Sequence, residues 1–219
     1  MSSATLHIIA AITMLIDHIG CFIFPSQLWL RIIGRIAFPI YAMMIAEGFH
    51  HTRSRKKYLL RLGILAVISQ IPLIWLSLIL HVPSSPNVLF GFCAAMLVLE
   101  IVQYGPLTYP IALVAAVGAH LIGVDYGAVA VLMPVCFYAV RNMKPIYRCV
   151  CEALIILTTI SFQLLTDPWG ATIYMLLAIP FVALYNGKKG RFSVPKWLRY
   201  GFYPAHLLAI AIIVAIIHR

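Results

Sequence analysis

An all-α integral membrane protein, a single bundle of about nine transmembrane helices, is the fold class that this sequence predicts. Three observations carry that reading. Of the 219 residues, 63% are hydrophobic and only 10% are charged, where a soluble domain carries about 25% charged residues. Mean hydropathy is +0.99. Apolar runs follow one another along the whole chain, and the basic residues cluster in the gaps between them. The net charge of +10 therefore reads as topogenic loops, with no nucleic-acid partner expected. Membrane lipid and phosphate-rich ligands are compatible with it.

Nine apolar runs can be marked: 5–24, 28–49, 58–81, 88–104, 107–124, 126–140, 149–165, 169–186 and 201–218. A bilayer crossing takes roughly 20 apolar residues. The first run meets that length and has no charged leader before it, so it reads as a span rather than a cleavable signal. The shortest run, 126–140, is the weakest of the nine. No soluble domain, long linker or internal repeat interrupts the series, and one domain covers 1–219.

Charge bias orients the bundle. Residues 50–61 hold Arg53, Arg55, Lys56, Lys57 and Arg61; 141–148 hold Arg141, Lys144 and Arg148; 187–200 hold Lys188, Lys189, Arg191, Lys196 and Arg199. Nine spans with the N-terminus inside and the C-terminus outside put all three segments, 13 of the 16 basic residues, in the cytoplasm. Multi-pass insertion in a bacterial inner membrane is the expected location.

Asp17 and His18 interrupt the first run. Ionisable groups at membrane depth cost at least about 2.5–3.5 kcal/mol on insertion scales, so they face the bundle interior and mark a site. Arg31 and Arg35, four apart on one helix face, fall at the same level and can supply the partner charge. Neighbours on a helix point about 100° apart, so Asp17 and His18 can both face inward but not along one line. His18 is the candidate general base. Asp17 either orients it or anchors Arg35, and Arg35 is the third candidate catalytic residue. His120, Asp125 and Asp167 gather at the outer ends of later helices. A second, inner tier holds Glu47, His50, His51, Glu100, Glu152 and His206.

The remaining motifs are less pointed. Glu47, His50 and His51 have a metal-like spacing, but the surrounding positive charge argues against a cation, and no metal is expected. The five cysteines show neither zinc nor disulfide spacing and read as small apolar fillers. Pro39, Pro72, Pro180 and Pro204 lie inside runs and kink them. Trp29, Trp169 and Trp197 fall near the interfaces as an aromatic belt, and Trp75 reads as packing.

Six blocks carry a family resemblance: TMLIDHIG (13–20), RIIGRIAFPIYAMMIAEGFHHTRSRKKYLLRL (31–62), NVLFGF (87–92), VDYG (124–127), LYNGKKG (184–190) and FYPAHLL (202–208). Together and in this order they resemble the TraX family of membrane acetyltransferases, within a broader class of membrane acyltransferases that draw on cytosolic acyl-CoA. The best-known member acetylates the N-terminus of conjugative F-pilin. The resemblance implies acetyl-CoA as donor and a pilin-like peptide or a small envelope molecule as acceptor. In one place the chain departs: Gln70 stands in ISQIP where the family pattern has an acidic residue.

Residues and resemblance meet in one layout. Arg31, Glu47, His50, Arg53, Lys57, Tyr58, Asn186, Lys188, Lys189, Tyr203 and His206 are the expected holders of acetyl-CoA. Its phosphates would lie on the basic tier and its arm would run up to His18. A small transporter using Asp, His and Arg as a relay is the competing reading; the missing repeat counts against it. A scaffold for a membrane complex is a third, and a homo-oligomer is compatible with each.

Overall fold

The structure is a computed structural model. It describes residues 1–165, 171–190 and 195–218, with the side chains of 196–199 outside that description. Asp167, Trp169, Arg191 and the side chains of Lys196, Trp197 and Arg199 therefore lie outside the described residues.

All regular structure among the described residues is helical. The helices are α1 (Ser3–Phe22), α2 (Leu28–Gly34), α3 (Ala37–His51), α4 (Arg55–Leu80), α5 (Val88–Val102), α6 (Tyr109–Ile122), α7 (Gly127–Val140), α8 (Pro145–Leu164), α9 (Ile179–Ala183) and α10 (Lys196–Ile217). A 3₁₀ turn, Pro106–Thr108, leads into α6, and a 3₁₀ stretch, Ala171–Ala178, leads into α9. Starts follow side-chain caps. Ser2, Ser54 and Asn87 accept from the backbone N–H of Thr5, Lys57 and Leu89, which satisfies donors that an open helix end leaves bare. Pro145 opens α8, where no N–H is needed.

Among the described residues five segments are long and apolar enough to cross a membrane: Ser3–Phe22, Leu28–His51, Arg55–Leu80, Pro145–Leu164 and Tyr200–Ile217. Four more are shorter: Val88–Val102, Pro106–Ile122, Gly127–Val140 and Ala171–Ala183. Each of the nine expected runs thus has a helical counterpart, but the four short ones fall below a hydrocarbon thickness of about 30 Å at 1.5 Å per residue. The eighth run differs most. It is not one α-helix but a 3₁₀ stretch continued by five α-helical residues around Pro180, whose ring removes an N–H that a continuous helix would use.

The second run also breaks, between Gly34 and Ala37. Pro39 has no N–H for the Arg35 carbonyl, and its ring crowds that carbonyl, so α2 ends there. Central α3 is the most buried long helix, through Phe38, Ile40, Ala42, Met43, Met44, Ile45, Ala46 and Phe49. It packs on α1, α5 and α7, while α10 lies against α4 and α1. Small residues let backbones approach, as lipid-embedded packing requires: a Cβ added to Gly91 of α5 would stand 2.4 Å from Ala130 of α7. Trp75, expected as packing, is 40% exposed, on the same face of α4 as the exposed Ile71 and Leu78.

The three basic segments meet at one end of the bundle. Arg148 donates to the Tyr185 carbonyl, Tyr185 donates to Glu47, and Arg55 pairs with Glu100. Ser3 and Ala4 donate to the carbonyls of Lys188 and Lys189, and the Met1 amino group to that of Leu184. The chain start and all three segments therefore share this basic end.

Candidate active site

The opposite half of the bundle holds a second group of charges, Asp17, Arg31 and Arg35, apart from the buried Arg148–Glu152 pair at the basic end. Asp17 on α1 rests on α2 at Gly34, where an added Cβ would stand 2.1 Å from the Asp17 carboxylate. At Gly20, one turn on, an added Cβ would stand 2.6 Å from the Leu30 side chain. These two glycines bring the helices near enough for Asp17 to take both guanidinium groups. Arg31 Nη1 donates to its Oδ2 at 2.7 Å, and Arg35 Nη2 lies 3.3 Å from its Oδ1.

Arg35 is buried, at 8% exposure, because the α2–α3 break turns it inward. Its Nη1 donates to the Tyr126 hydroxyl at 3.1 Å, and Tyr126 stacks flat on Phe38, 3.8 Å between ring centres. Arg31 is more open and spends only Nη1 on Asp17. Asp17 thus anchors the arginines. Among the described residues no bond joins it to His18, since consecutive helix positions diverge by about 100°.

His18 turns to α10 instead. Its Nδ1 lies 2.7 Å from His206 Nε2, the rings stacked with centres 5.0 Å apart. Phe22, Phe202 and Tyr203 surround the pair. His206 belongs to this level and not to the inner tier where sequence reasoning set it. Helix α10 begins at Lys196, five residues before 201, which sinks His206 about 7 Å deeper.

A cavity of about 460 Å³ adjoins these groups. Asp17, His18, Arg31, Arg35, Asp125 and Tyr203 line it, and residues 82–85 and 123–125 rim it, away from the basic end. Asp125 is exposed at that rim. A second cavity of about 250 Å³, lined by His120 and Gln163, lies across Tyr126. What converges is a neutral-capable imidazole, a free guanidinium edge and a carboxylate around one chamber. That is the equipment for proton transfer beside a developing negative charge.

A family model described as TraX protein matches residues 2–214. The chain belongs to the TraX family. It is 29% identical, over 94% of its length and 93% of the relative's, to "Probable fimbrial assembly protein FimC, serogroup H1" of Dichelobacter nodosus. A segment covering 19% of the chain and 17% of the relative is 43% identical to "Uncharacterized protein RP591" of Rickettsia prowazekii (strain Madrid E). No solved structure matches.

The other expected cofactor residues of this TraX-family chain are dispersed. Arg31 and Tyr203 line the cavity. Glu47 accepts from Tyr185 and pairs with His51 at 3.3 Å, and His50 leans on Tyr138 at the exposed basic end. Tyr58 is packed against Gly48. Arg53, Lys57, Asn186, Lys188 and Lys189 are exposed, and among the described residues no contact gathers them into one pocket. The Asn186 side chain serves its own loop, accepting from the Lys188 N–H. No three His, Cys, Asp or Glu among the described residues converge as a metal would need.

Several site residues were not singled out from sequence. Gly34 and Tyr126 shape the arginine pair, and both lie within the family blocks. Gln70 is a clip. Its Oε1 accepts from the N–H and Nδ2 of Asn87, and its Nε2 donates to the Ser85 carbonyl. A carboxylate could keep the first two bonds but could not donate, so at this position the chain has a loop fastener lining up residues 82–87 at the cavity rim.

Proposed function

We propose that this protein is a membrane-embedded acetyltransferase that moves an acetyl group from acetyl-CoA to an amine or hydroxyl acceptor. The observation that carries it is His18 at the wall of a cavity that also presents Arg31 and its anchored partner Arg35. His18 takes the proton from the acceptor nitrogen or oxygen as that atom attacks the thioester carbonyl carbon. The carbonyl oxygen gains negative charge, which the uncommitted N–H groups of Arg31 stabilise. The tetrahedral centre collapses, the C–S bond breaks, and the His18 proton leaves with the CoA sulfur. Asp17 holds both arginines in place, and Arg35 braces the chamber through Tyr126.

The basic end supports the donor side of this reading. With the N-terminus inside, its exposed arginines and lysines face the cytosol, where they draw the phosphates of acetyl-CoA. His18 lies about 22 Å along α1 from Ser3, so the acyl arm must enter the bundle. The acceptor enters at the opposite rim, past Asp125. The relative named for fimbrial assembly makes a pilin-like peptide the first acceptor to try.

The test uses purified protein in lipid nanodiscs, acetyl-CoA, and apolar peptides with a free α-amine or an acetyl-blocked one. Free CoA thiol should appear with the free amine only, and acetyl-CoA should raise the melting temperature where ATP does not. Equal stabilisation by both, with no thiol released to any amine or hydroxyl acceptor, would overturn the proposal.

A further inference from the structure

The proposed base is one half of a pair, and the pair has a direction. A backbone carbonyl carries no proton, so in the 2.7 Å contact between His206 Nδ1 and the Phe202 oxygen the imidazole donates. A neutral His206 then has a bare Nε2. That nitrogen faces His18 Nδ1 at 2.7 Å, so His18 donates to it through Nδ1–H. His206 Nε2 is thereby occupied as an acceptor, and the nitrogen of the pair left with neither a proton nor a hydrogen bond among the described residues is His18 Nε2, on the ring that borders the cavity. Were both rings doubly protonated, two N–H groups would meet at hydrogen-bond distance, so at most one ring carries the extra proton.

We propose that His206 is a positioning residue that sets the tautomer of His18. The chain Phe202 carbonyl, His206, His18 holds a bare Nε2 at the cavity as the proton acceptor. This rests on the acetyltransferase reading above and deepens it. The arrangement does for an imidazole what a buried carboxylate does in hydrolase triads, fixing which nitrogen is free, with a neutral ring in the carboxylate's place. Asp17 cannot serve, because both its oxygens are held by arginines. When the acceptor proton reaches His18 Nε2, the Nδ1 proton can pass to His206 Nε2. His206 then holds the positive charge while its own Nδ1–H stays on Phe202. The return transfer restores His18, whose Nε2 proton goes to the CoA sulfur.

Nitrogen NMR of ¹⁵N-histidine-labelled protein in nanodiscs, above the usual imidazole titration range, reads this directly. The His18 signals, assigned by their loss in His18→Gln, should show a protonated Nδ1 and a bare Nε2, the tautomer that the free histidine side chain disfavours. In His206→Ala they should revert to the Nε2–H form. Turnover of the free-amine peptide should fall about 10–10²-fold in kcat with little change in KM for acetyl-CoA, a part of the general-base effect of about 10²–10⁴. His206→Gln, whose amide oxygen still accepts from Nδ1–H but cannot take the proton, should restore the His18 tautomer and recover only part of the loss in kcat. An Nε2–H His18 in the unmodified protein, or an unchanged tautomer in His206→Ala, would overturn the relay. The two readings fail separately. If His18→Ala abolishes transfer and His206→Ala does not, the relay alone falls. If His18→Ala transfers normally, the base assignment falls and takes with it the catalytic role of His206.

Discussion

At the cavity end, Asp17, Arg31 and Arg35 lie inside the bundle and two contacts, at 2.7 and 3.3 Å, tie them together. At the basic end, Arg53, Lys56, Lys57, Lys188 and Lys189 stand exposed, and the Arg55–Glu100 pair is itself part-exposed, at 35% and 47%. The basic end has more charge, most of it exposed, with one buried pair, Arg148–Glu152 at 3.3 Å; at the cavity end one carboxylate ties two arginines together. An exposed pair contributes about 0–1 kcal/mol, whereas breaking a buried one costs about 3–5 kcal/mol because the remaining charge is stranded. Exposed charge number therefore tracks the loops here, and the paired charges that border the cavity mark the candidate site.

The sharpest way to break this contrast is at His18. His18→Ala should reduce single-turnover acetyl transfer about 10²–10⁴-fold while acetyl-CoA still raises the melting temperature. Near-normal transfer would move the chemistry toward the basic end, with His50 next to be tried. Asp17→Ala comes second. It leaves two guanidinium groups facing each other and should destabilise the bundle by about 3–5 kcal/mol, measured by thermal unfolding in nanodiscs. Arg55→Ala at the other end should cost about 1 kcal/mol or less. Comparable losses at the two positions would erase the distinction.

Smaller effects sharpen it further. Gly34→Ala puts a methyl group into the Asp17 carboxylate and should cost about 1–3 kcal/mol, with activity lost at temperatures where the protein is still folded. Alanine at Arg53 and Lys57 together should weaken acetyl-CoA binding by about 1.5–3 kcal/mol for each well-formed phosphate contact and flatten its salt dependence. Unchanged affinity would leave the basic end a topogenic signal alone. Gln70→Glu should cost about 1 kcal/mol by giving up the bond to the Ser85 carbonyl, detected as faster hydrogen exchange in residues 82–87. Orientation is open to the same treatment, since a cysteine at Ser54 should resist membrane-impermeant label in intact cells.

Run lengths and composition were enough to read an all-helical chain of apolar segments, because a helix long enough to cross hydrocarbon must be apolar along its own sequence. The Asp17–Arg31–Arg35 group was legible for the same reason: a charge inside an apolar run needs a partner, and two arginines four residues apart were the nearest available. What Asp17 does was not legible. Either histidine orientation or arginine anchoring fits the residue order, and only the closeness of α1 and α2 over Gly34 and Gly20 selects the second. The partnership of His18 and His206, 188 residues apart, depended on where α10 begins and how it leans on α1. Lengths along the chain set which groups must be buried; which buried group meets which is decided by helix packing, since a shift of one turn, about 5.4 Å, exchanges one partner for another.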